Sequence, residues 1–358
     1  MSARLATALV VLLLALGGAA LLLKQRGESQ RPADAAALGQ PVLKNLKAAD
    51  VAAIVIRDGS AALTLERKDG EWRIAERAGF PADTDKVRDL VLKAIELKVG
   101  QSDSIGEADR ARLKLDGSGG ALEFRGADGK PLARLAIGVK FFKREPENRE
   151  RAIGDGRFVQ VAEDAKTVYV VADPLTLASA KSADWIRHTG FGAEKVKAMQ
   201  VALAGGEKWK IERPGDNAGW KLSPLRAGEK LDVIRANSAS YSLNSMDLAD
   251  VAAPDLKPAD TGLDKPSANI VALTFDGLTY ALRLGKPAGD NYYYAKVAVT
   301  GAGKASGPDA AERQKKLDER LPRERALATH TLLIAKSKFD DILKKRAELL
   351  EPKAPAKK

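Results

Sequence analysis

The sequence predicts an α+β protein, in which an N-terminal transmembrane helix is followed by two tandem repeats of mostly antiparallel sheet with packed helices. Three observations lead to this prediction. An uncharged apolar stretch lies close to the N-terminus, and apolar residues with a period of two recur along the rest of the chain. The pattern that opens at Trp72 also returns at Trp220. A period of two is typical of half-buried strands.

The apolar stretch runs from Leu5 to Leu23 and contains 19 residues without a charge. As a helix it would be about 28 Å long, close to the thickness of the hydrocarbon core of a bilayer. We therefore predict a transmembrane anchor over residues 5–23, with residues 1–4 as a cytoplasmic N-terminus. A cleaved signal peptide is the alternative. Its apolar core would be shorter and would end at a small-residue cleavage site, whereas this run ends in LLLKQR.

Residues 24–48 are rich in alanine, glutamine, proline and charge and show no sustained period, so we predict a flexible linker. The charges that flank the apolar stretch bear on its orientation. Arg4 precedes the stretch, and three cations follow it: Lys24, Arg26 and Arg31. By the positive-inside rule these charges alone would leave the bulk of the chain in the cytoplasm.

The first predicted repeat covers residues 49–195. Three short segments with alternating apolar residues, separated by Asp-Gly turns, predict an antiparallel meander in which Trp72 is a core residue. Residues 83–97 then place apolar side chains on one stripe of a helix. Further strands follow, and a short helix after Pro174 is expected to close the repeat.

The second predicted repeat covers residues 196–350. Trp220 follows the same kind of turn as Trp72, and the strand ALEF returns as ALTF. A strand-then-helix pair from Thr329 corresponds to the pair that closes the first repeat. This agreement in strands, turns and order predicts a duplicated fold. Residues 351–358 are predicted to be a basic disordered tail.

The two repeats differ in insertions that are dense in charge. One insertion begins at Lys140, and the other spans residues 301–328. Both are predicted to be exposed loops or short helices. Contacts that are specific to a partner are expected at these insertions.

The composition bears on partners and on chemistry. The formal net charge is +11, from 59 basic and 48 acidic residues spread along the chain. Such an excess favours anionic neighbours, for example phospholipid headgroups or an acidic envelope polymer. Nucleic acid is not expected, because no basic helix, zinc-finger spacing or RNA-binding aromatic signature accompanies the charge. The chain has no cysteine, which removes disulfides, thiolate metal sites and cysteine nucleophiles.

No catalytic, metal-binding or cofactor-binding residues are predicted, and no cofactor. The two histidines, His188 and His330, are each expected to have a structural or surface role. No pair of acidic residues has a spacing that distinguishes it from solvated charge. One aromatic cluster is unusual and is a candidate contact for a ligand or partner: Tyr292, Tyr293 and Tyr294. Neighbouring residues of a strand face opposite sides, so at least one tyrosine is expected on the outer face.

Several segments resemble a known family. They are the turn and strand DGEWRI, the segment FPADTDKVRDLVLKAIELKV, the elements LKLDG and TGLDKP, and the short strands LAIG and LRLG. In this order they resemble the bacterial proteins classed as domain of unknown function 4340. The resemblance covers roughly Val51 to Leu350. The first copy departs from the family pattern, with Lys114-Leu115 where Gly-Leu is usual and no proline after it.

The resemblance implies a single-pass protein of the bacterial inner membrane whose soluble body lies in the periplasm. This implication overrides the count of flanking charges. It also implies an auxiliary component of a gliding-motility-type ABC transporter, which works with a permease and a separate ATPase. The resemblance supplies no catalytic residues.

Three functions are weighed. The first is a membrane-anchored, non-catalytic periplasmic accessory protein of an ABC-type transporter or envelope complex. Its expected partners are membrane lipid through the N-terminal helix, ABC permease and ATPase subunits, and an anionic envelope polymer. The alternative is an envelope module that binds a glycan or a lipid headgroup, with Tyr292 to Tyr294 as contacts. The third, an envelope hydrolase that uses carboxylates, has the least support.

Overall fold

The computed structural model describes residues 37–307 and 309–352. These residues form two units. Unit 1 contains residues 37–67 and 84–181, and unit 2 contains residues 68–83 together with the described residues from Ser182 onward. The strand pairings within each unit are antiparallel.

The described residues form strands and helices that we number in chain order. The strands are β1 (Ala53–Asp58), β2 (Ala61–Lys68), β3 (Glu71–Ile74), β4 (Phe80–Pro81), β5 (Val99–Ser104), β6 (Gly120–Arg125), β7 (Pro131–Phe141), β8 (Gly156–Val161), β9 (Thr167–Val171), β10 (Thr189–Phe191), β11 (Val196–Leu203), β12 (Lys208–Glu212), β13 (Lys221–Ser223), β14 (Met246–Asp247), β15 (Asp250–Val251), β16 (Ala268–Thr274), β17 (Leu278–Ala288), β18 (Tyr292–Gly301) and β19 (Leu332–Ala335). The helices are α1 (Thr84–Glu96), α2 (Glu107–Arg112), α3 (Val233–Tyr241), α4 (Pro258–Thr261) and α5 (Ala310–Ala326).

In unit 1 the strands lie side by side in the order β2-β1-β6-β7-β8-β9-β5. Ile54 and Ile56 of β1 lie opposite Leu65 and Leu63 of β2, and all four side chains are buried. The alternation of these residues therefore gives the sheet one apolar face. Helix α1 forms where the spacing predicts it, and its buried residues lie on one stripe: Val87, Leu90, Val91 and Ala94.

Part of the segment predicted to be a linker lies within the described residues. Residues 37–48 pack on unit 1, where Val42, Leu43 and Leu46 are buried. The amide of Val42 donates to the carbonyl oxygen of Leu97 at 2.8 Å. This part of the segment is therefore attached to the folded body by both apolar contact and backbone hydrogen bonds.

In unit 2, eight strands lie in the order β13-β12-β11-β16-β17-β18-β19-β15, and β10 and β14 form a separate pair. Strands β3 and β4 pair with each other and also belong to unit 2, and Trp72 of β3 is buried. From β12 onward the strand order of unit 2 repeats that of unit 1 from β2 onward. The predicted division into repeats at residues 49–195 and 196–350 stays a prediction.

Tryptophans anchor the core of unit 2. Trp209 is 1% exposed, and its indole N–H donates to the carbonyl oxygen of Lys344 at 2.9 Å. Trp220 is buried, and its indole N–H donates to Oδ1 of Asn237 on α3 at 2.8 Å. Because each indole buries a large apolar surface and also satisfies its single donor, each fixes a distant segment of chain against the sheet.

The predicted α+β class is wrong, because the structure is mostly antiparallel sheet, arranged as three sheets with few helices. The helix expected after Pro174 does not form. Leu175 has a left-handed φ of 54°, and its amide donates to the Asp173 carboxylate at 2.6 Å. A side chain that takes up a backbone donor in this way competes with helix formation. After β19 the chain makes short 3-10 turns at Lys336–Phe339 and Arg346–Leu349 in place of a helix.

The transmembrane helix predicted over residues 5–23 lies outside the described residues. Residues 1–4, the first part of the predicted linker and residues 353–358 of the predicted tail also lie outside them. Within residues 37–307 and 309–352, no helix is long and apolar enough to cross a bilayer.

Candidate functional site

A cavity of about 360 Å³ lies within unit 2, against its eight-stranded sheet. The sheet side of the cavity contributes Arg283 from β17, Lys296 from β18 and His330 from the turn that leads into β19. Most of the remaining lining comes from residues 252–264, which include the one-turn helix α4. Basic side chains therefore dominate the charged part of the lining.

Arg283 and Lys296 lie directly opposite each other across the β17–β18 pairing. Like charges in this arrangement repel each other and weaken the pairing. The Arg283 guanidinium donates a hydrogen bond to the neutral carbonyl oxygen of Leu263, and it has no ion-pair partner among the residues that the structure describes. Lys296 has no hydrogen-bond or ion-pair partner among the described residues. The pair therefore presents two uncompensated positive charges to the cavity.

His330 adds an uncharged polar group to the same lining. Burial lowers the pKa of its imidazole, and the positive charges of Lys296 and Arg73 lower this pKa further. Its ring packs edge-on against Phe80, with the ring centroids 5.0 Å apart. His330 is therefore neutral at pH 7, where it can donate one hydrogen bond and accept another.

The segment TGLDKP, residues 261–266, contributes Thr261, Leu263 and Asp264 to the lining of the cavity. Helix α4 ends at Gly262, whose φ of 70° is a left-handed conformation that glycine adopts readily. A Cβ at Gly262 would lie 2.7 Å from the backbone nitrogen of Lys286. A Cβ at Gly285 would lie 2.1 Å from the carbonyl oxygen of Thr261. The two glycines therefore allow the segment to lie directly on β17.

The corresponding segment of unit 1, LKLDG, approaches its strand in a similar way. Lys114 has a φ of 56°, close to the value of 70° at Gly262. The carbonyl oxygen of Leu113 accepts from the amide of Val139 at 3.0 Å, and a Cβ at Gly138 would lie 2.4 Å from that oxygen. Lysine in place of the usual glycine thus keeps the left-handed turn, with a steric penalty of about 1 kcal/mol.

Strand β18 directs the three tyrosines to opposite faces of the sheet. Tyr293 lies on the core side, where its ring packs edge-on against Phe339 with the ring centroids 6.0 Å apart. Tyr292 and Tyr294 lie on the face that also carries Lys296, and Tyr292 is 37% exposed. The expected alternation is therefore confirmed. A ligand or partner contact through these tyrosines stays a prediction.

The two histidines make separate local contacts. The Nδ1 atom of His188 lies 2.8 Å from the carbonyl oxygen of Leu248, and the residue is exposed. His330, for which the sequence indicated only a structural or surface role, lines the cavity. In the part of the chain that the structure describes, no group of three or more His, Asp or Glu side chains is arranged to hold a metal ion.

Sequence reasoning did not identify Arg283 or Lys296 as site residues. A signal was present, because each lies between two buried neighbours of its strand and so faces away from the core. A basic residue at such a position is ordinarily solvated. The segment 252–264 makes these positions part of a cavity, and its path over the sheet has no local sequence pattern.

Comparison with known proteins identifies the family. A family model described as a domain of unknown function, DUF4340, matches residues 72–266, which is more than half of the chain. No curated protein and no solved structure matches the chain. The match begins at Trp72 of β3 and includes the whole TGLDKP segment that shapes the cavity. The chain therefore belongs to the DUF4340 family.

Proposed function

We propose that this protein is a non-catalytic accessory protein of the bacterial cell envelope, which binds an anionic glycan or an anionic lipid headgroup in the cavity of unit 2. One observation carries the proposal: Arg283 and Lys296 face each other at the cavity, and neither has an ion-pair partner in the described part of the chain. An anion between them would be attracted by both charges and would offset their mutual repulsion.

The shape and chemistry of the cavity support a small organic ligand. Its volume of about 360 Å³ falls within the range of small-molecule sites, about 300–1,000 Å³. Beside the cations, Ala252, Pro254 and Leu256 present apolar surface. A sugar ring and the glycerol part of a headgroup both combine apolar C–H faces with oxygens, so either would use this mixture. A simple inorganic anion would leave the apolar surface uncovered.

The lining favours binding over hydrolysis. Among the described residues that line the cavity, Asp264 is the single carboxylate, and it is exposed. Glycoside hydrolysis commonly uses two carboxyl groups, one of which holds its proton at neutral pH. The imidazole of His330 is neutral and packs against Phe80. This packing holds the ring in place, so that it can form a hydrogen bond with a ligand.

The binding role predicts that the double variant Arg283→Gln/Lys296→Gln loses affinity for anionic ligands. We expect the full chain to bind glucuronate, a soluble probe of an acidic sugar. The double variant should bind the same probe at least about tenfold more weakly, because two charge-assisted contacts are removed. Isothermal titration calorimetry at two salt concentrations measures this change.

The matched control is Lys230→Gln/Lys316→Gln, which removes the same charge from two exposed positions outside the cavity lining. Equal affinities for this control and for Arg283→Gln/Lys296→Gln would contradict the binding role. Tyr292→Ala/Tyr294→Ala, measured with the same probe, shows whether the tyrosines on the face of Lys296 extend the site. Unchanged affinity there would confine the site to the cavity.

The envelope location is supported by the sequence and by the family resemblance. The uncharged stretch over residues 5–23, outside the described residues, has the length needed to anchor the chain in a membrane. The net charge of +11 favours an anionic phospholipid surface as a neighbour. The resemblance adds a permease and an ATPase as partners. Our proposal is that the body lies in the periplasm, attached to the inner membrane, within an ABC-type transporter or another envelope complex.

A single labelling experiment tests location and partners together. The chain has no cysteine and Ser223 is exposed, so Ser223→Cys introduces one reactive thiol. Cells with an opened outer membrane are treated with a membrane-impermeant biotin maleimide, and biotinylated protein is captured from mild detergent. We expect labelling before lysis and co-capture of a permease and an ATPase, identified by mass spectrometry. The cysteine-free wild type is the control, and labelling only after full lysis would refute the periplasmic location.

A further inference from the structure

A groove of about 610 Å³ in unit 1 is lined by four arginines and one glutamate: Arg57, Arg110, Arg125, Arg134 and Glu123. We infer that this groove is a second binding site, separate from the cavity of unit 2, and that it takes a ligand with a phosphoryl group. The site rests on residues of unit 1 alone and does not depend on the function proposed for unit 2.

The strand register gives the groove a floor of small side chains. Arg57 of β1 lies opposite Ala121 of β6, and Ala121 lies opposite Ala136 of β7. Ala136 in turn lies opposite Gln160 of β8. Neighbouring strands are about 4.8 Å apart, so two successive alanines leave space over the sheet between longer side chains. Arg57 stands at one end of this row.

A second row, two residues further along the strands, contains the groove's carboxylate. Glu123 lies opposite Arg134. Its carboxylate pairs with Arg125 at 2.6 Å and with Arg134 at 3.0 Å. Burial opposes ionisation of Glu123, but these two arginines outweigh burial and hold its pKa below the ordinary value. One carboxylate thus serves two arginines, and the row keeps a net positive charge.

Neither of the other two arginines has an ion-pair partner in the described part of the chain. Arg57 is exposed and has no ion-pair partner there. The Nε atom of Arg110, on α2, is buried and has no hydrogen-bond partner. The nearby carboxylate of Asp116 accepts hydrogen bonds from the hydroxyl and amide of Ser118, which lower its pKa, and the charge of Arg110 lowers this pKa further. Arg110 also lines the groove, so an anion bound there would supply a counter-charge to its guanidinium.

The number of donors indicates a phosphoryl group. A guanidinium binds a carboxylate with two parallel hydrogen bonds, so one arginine is enough for a carboxylate. A terminal phosphoryl group has three acceptor oxygens and close to two negative charges, and it can accept from Arg57, Arg110 and Arg134 together. The Gln160 amide does not compete, because it donates to the carbonyl oxygens of Ala165 and Thr167 at 3.0 and 3.3 Å.

The test uses the full chain in a nonionic detergent and inorganic pyrophosphate as the probe. We expect saturable binding that weakens as salt is raised, and a loss of at least about tenfold in affinity for Arg57→Gln/Arg110→Gln. The matched control, Arg88→Gln/Arg112→Gln, removes two exposed arginines of α1 and α2 and should bind as the wild type does. Repeating these titrations in the Arg283→Gln/Lys296→Gln background removes binding of pyrophosphate to the cavity of unit 2, and the tenfold loss should persist in that background.

Two further measurements keep the result decisive. Arg57→Gln alone changes an exposed side chain and leaves the fold intact, so a threefold or greater loss of affinity for this variant supports the site even if the double variant unfolds.

Phosphatidylcholine vesicles with and without phosphatidic acid distinguish a lipid from a free phosphorylated ligand. Only the lipid source predicts vesicle binding that pyrophosphate competes away. Equal pyrophosphate affinity in Arg57→Gln/Arg110→Gln and in its control would overturn the inference.

Discussion

Glu324→Ala is expected to lower the free energy of unfolding by about 4 kcal/mol. Glu324 lies near the end of α5 and is 3% exposed. Its carboxylate accepts from the hydroxyl of Tyr280 at 2.8 Å and from the amide of Gly192 at 3.1 Å, and it lies beside Arg320. Alanine would leave two buried donors without a partner, at about 1–3 kcal/mol each. It would also remove an acidic partner of Arg320.

Urea denaturation of the full chain, followed by circular dichroism, measures this loss. Glu312→Ala is the matched control on the same helix, because its carboxylate is exposed and pairs with Lys316 at 2.7 Å. Exposed pairs contribute little, so this variant should unfold as the wild type does. If both variants unfold at the same urea concentration, the buried network does not hold α5 on the sheet.

The same residue gives a pH dependence. Burial raises the pKa of Glu324 and outweighs the hydrogen bond from Tyr280 and the charge of Arg320. In the unfolded chain this carboxyl has the ordinary pKa of glutamate, about 4.3. Between that pH and the higher folded pKa the folded state binds more protons, so the contribution of Glu324 to stability falls as the pH rises. Glu324→Gln should lack this decline, and an identical decline in both proteins would exclude Glu324 as its source.

The strands of unit 1 illustrate what the sequence could predict. Ile54, Ile56, Leu63 and Leu65 alternate with polar residues, and the structure buries all four on one face. The stripe of α1 is also local, since each of its buried residues lies three or four positions from the next. Patterns of this kind follow from the geometry of one strand or one helix, and they require no knowledge of what packs against it.

Helix α5 illustrates what the sequence analysis missed. Its charged composition indicated an exposed insertion, yet Leu317, Leu321 and Glu324 form one buried stripe. The spacing of four and three residues is typical of a helical stripe, but an acidic residue is ordinarily solvated. Its partner Tyr280 is 44 residues away in the sequence, so only the folded chain brings donor and acceptor together. Arg283 and Lys296 were missed for the same reason, because the segment 252–264, which makes them part of a cavity, is distant or irregular in the sequence.

Gly285→Ala is expected to destabilise the protein by about 3 kcal/mol and to abolish anion binding in the cavity of unit 2. The added Cβ would lie 2.1 Å from the carbonyl oxygen of Thr261, which is backbone and cannot rotate away. The chain at residues 261–266 would therefore have to move off β17. Leu263 accepts the hydrogen bond from Arg283, so the movement would also release that guanidinium from its present orientation.

Gly219→Ala is the matched control, because an added Cβ there has no atom within 4 Å. It should change the free energy of unfolding by no more than about 0.5 kcal/mol and leave probe affinity unchanged. Urea denaturation and calorimetry with glucuronate, on both variants, give the two quantities. If Gly285→Ala is destabilised but binds the probe as the wild type does, the close contact at Gly285 is not required for anion binding in the cavity. If stability is also retained, the TGLDKP segment does not rest on β17, and the cavity lacks the wall that makes Arg283 and Lys296 a site.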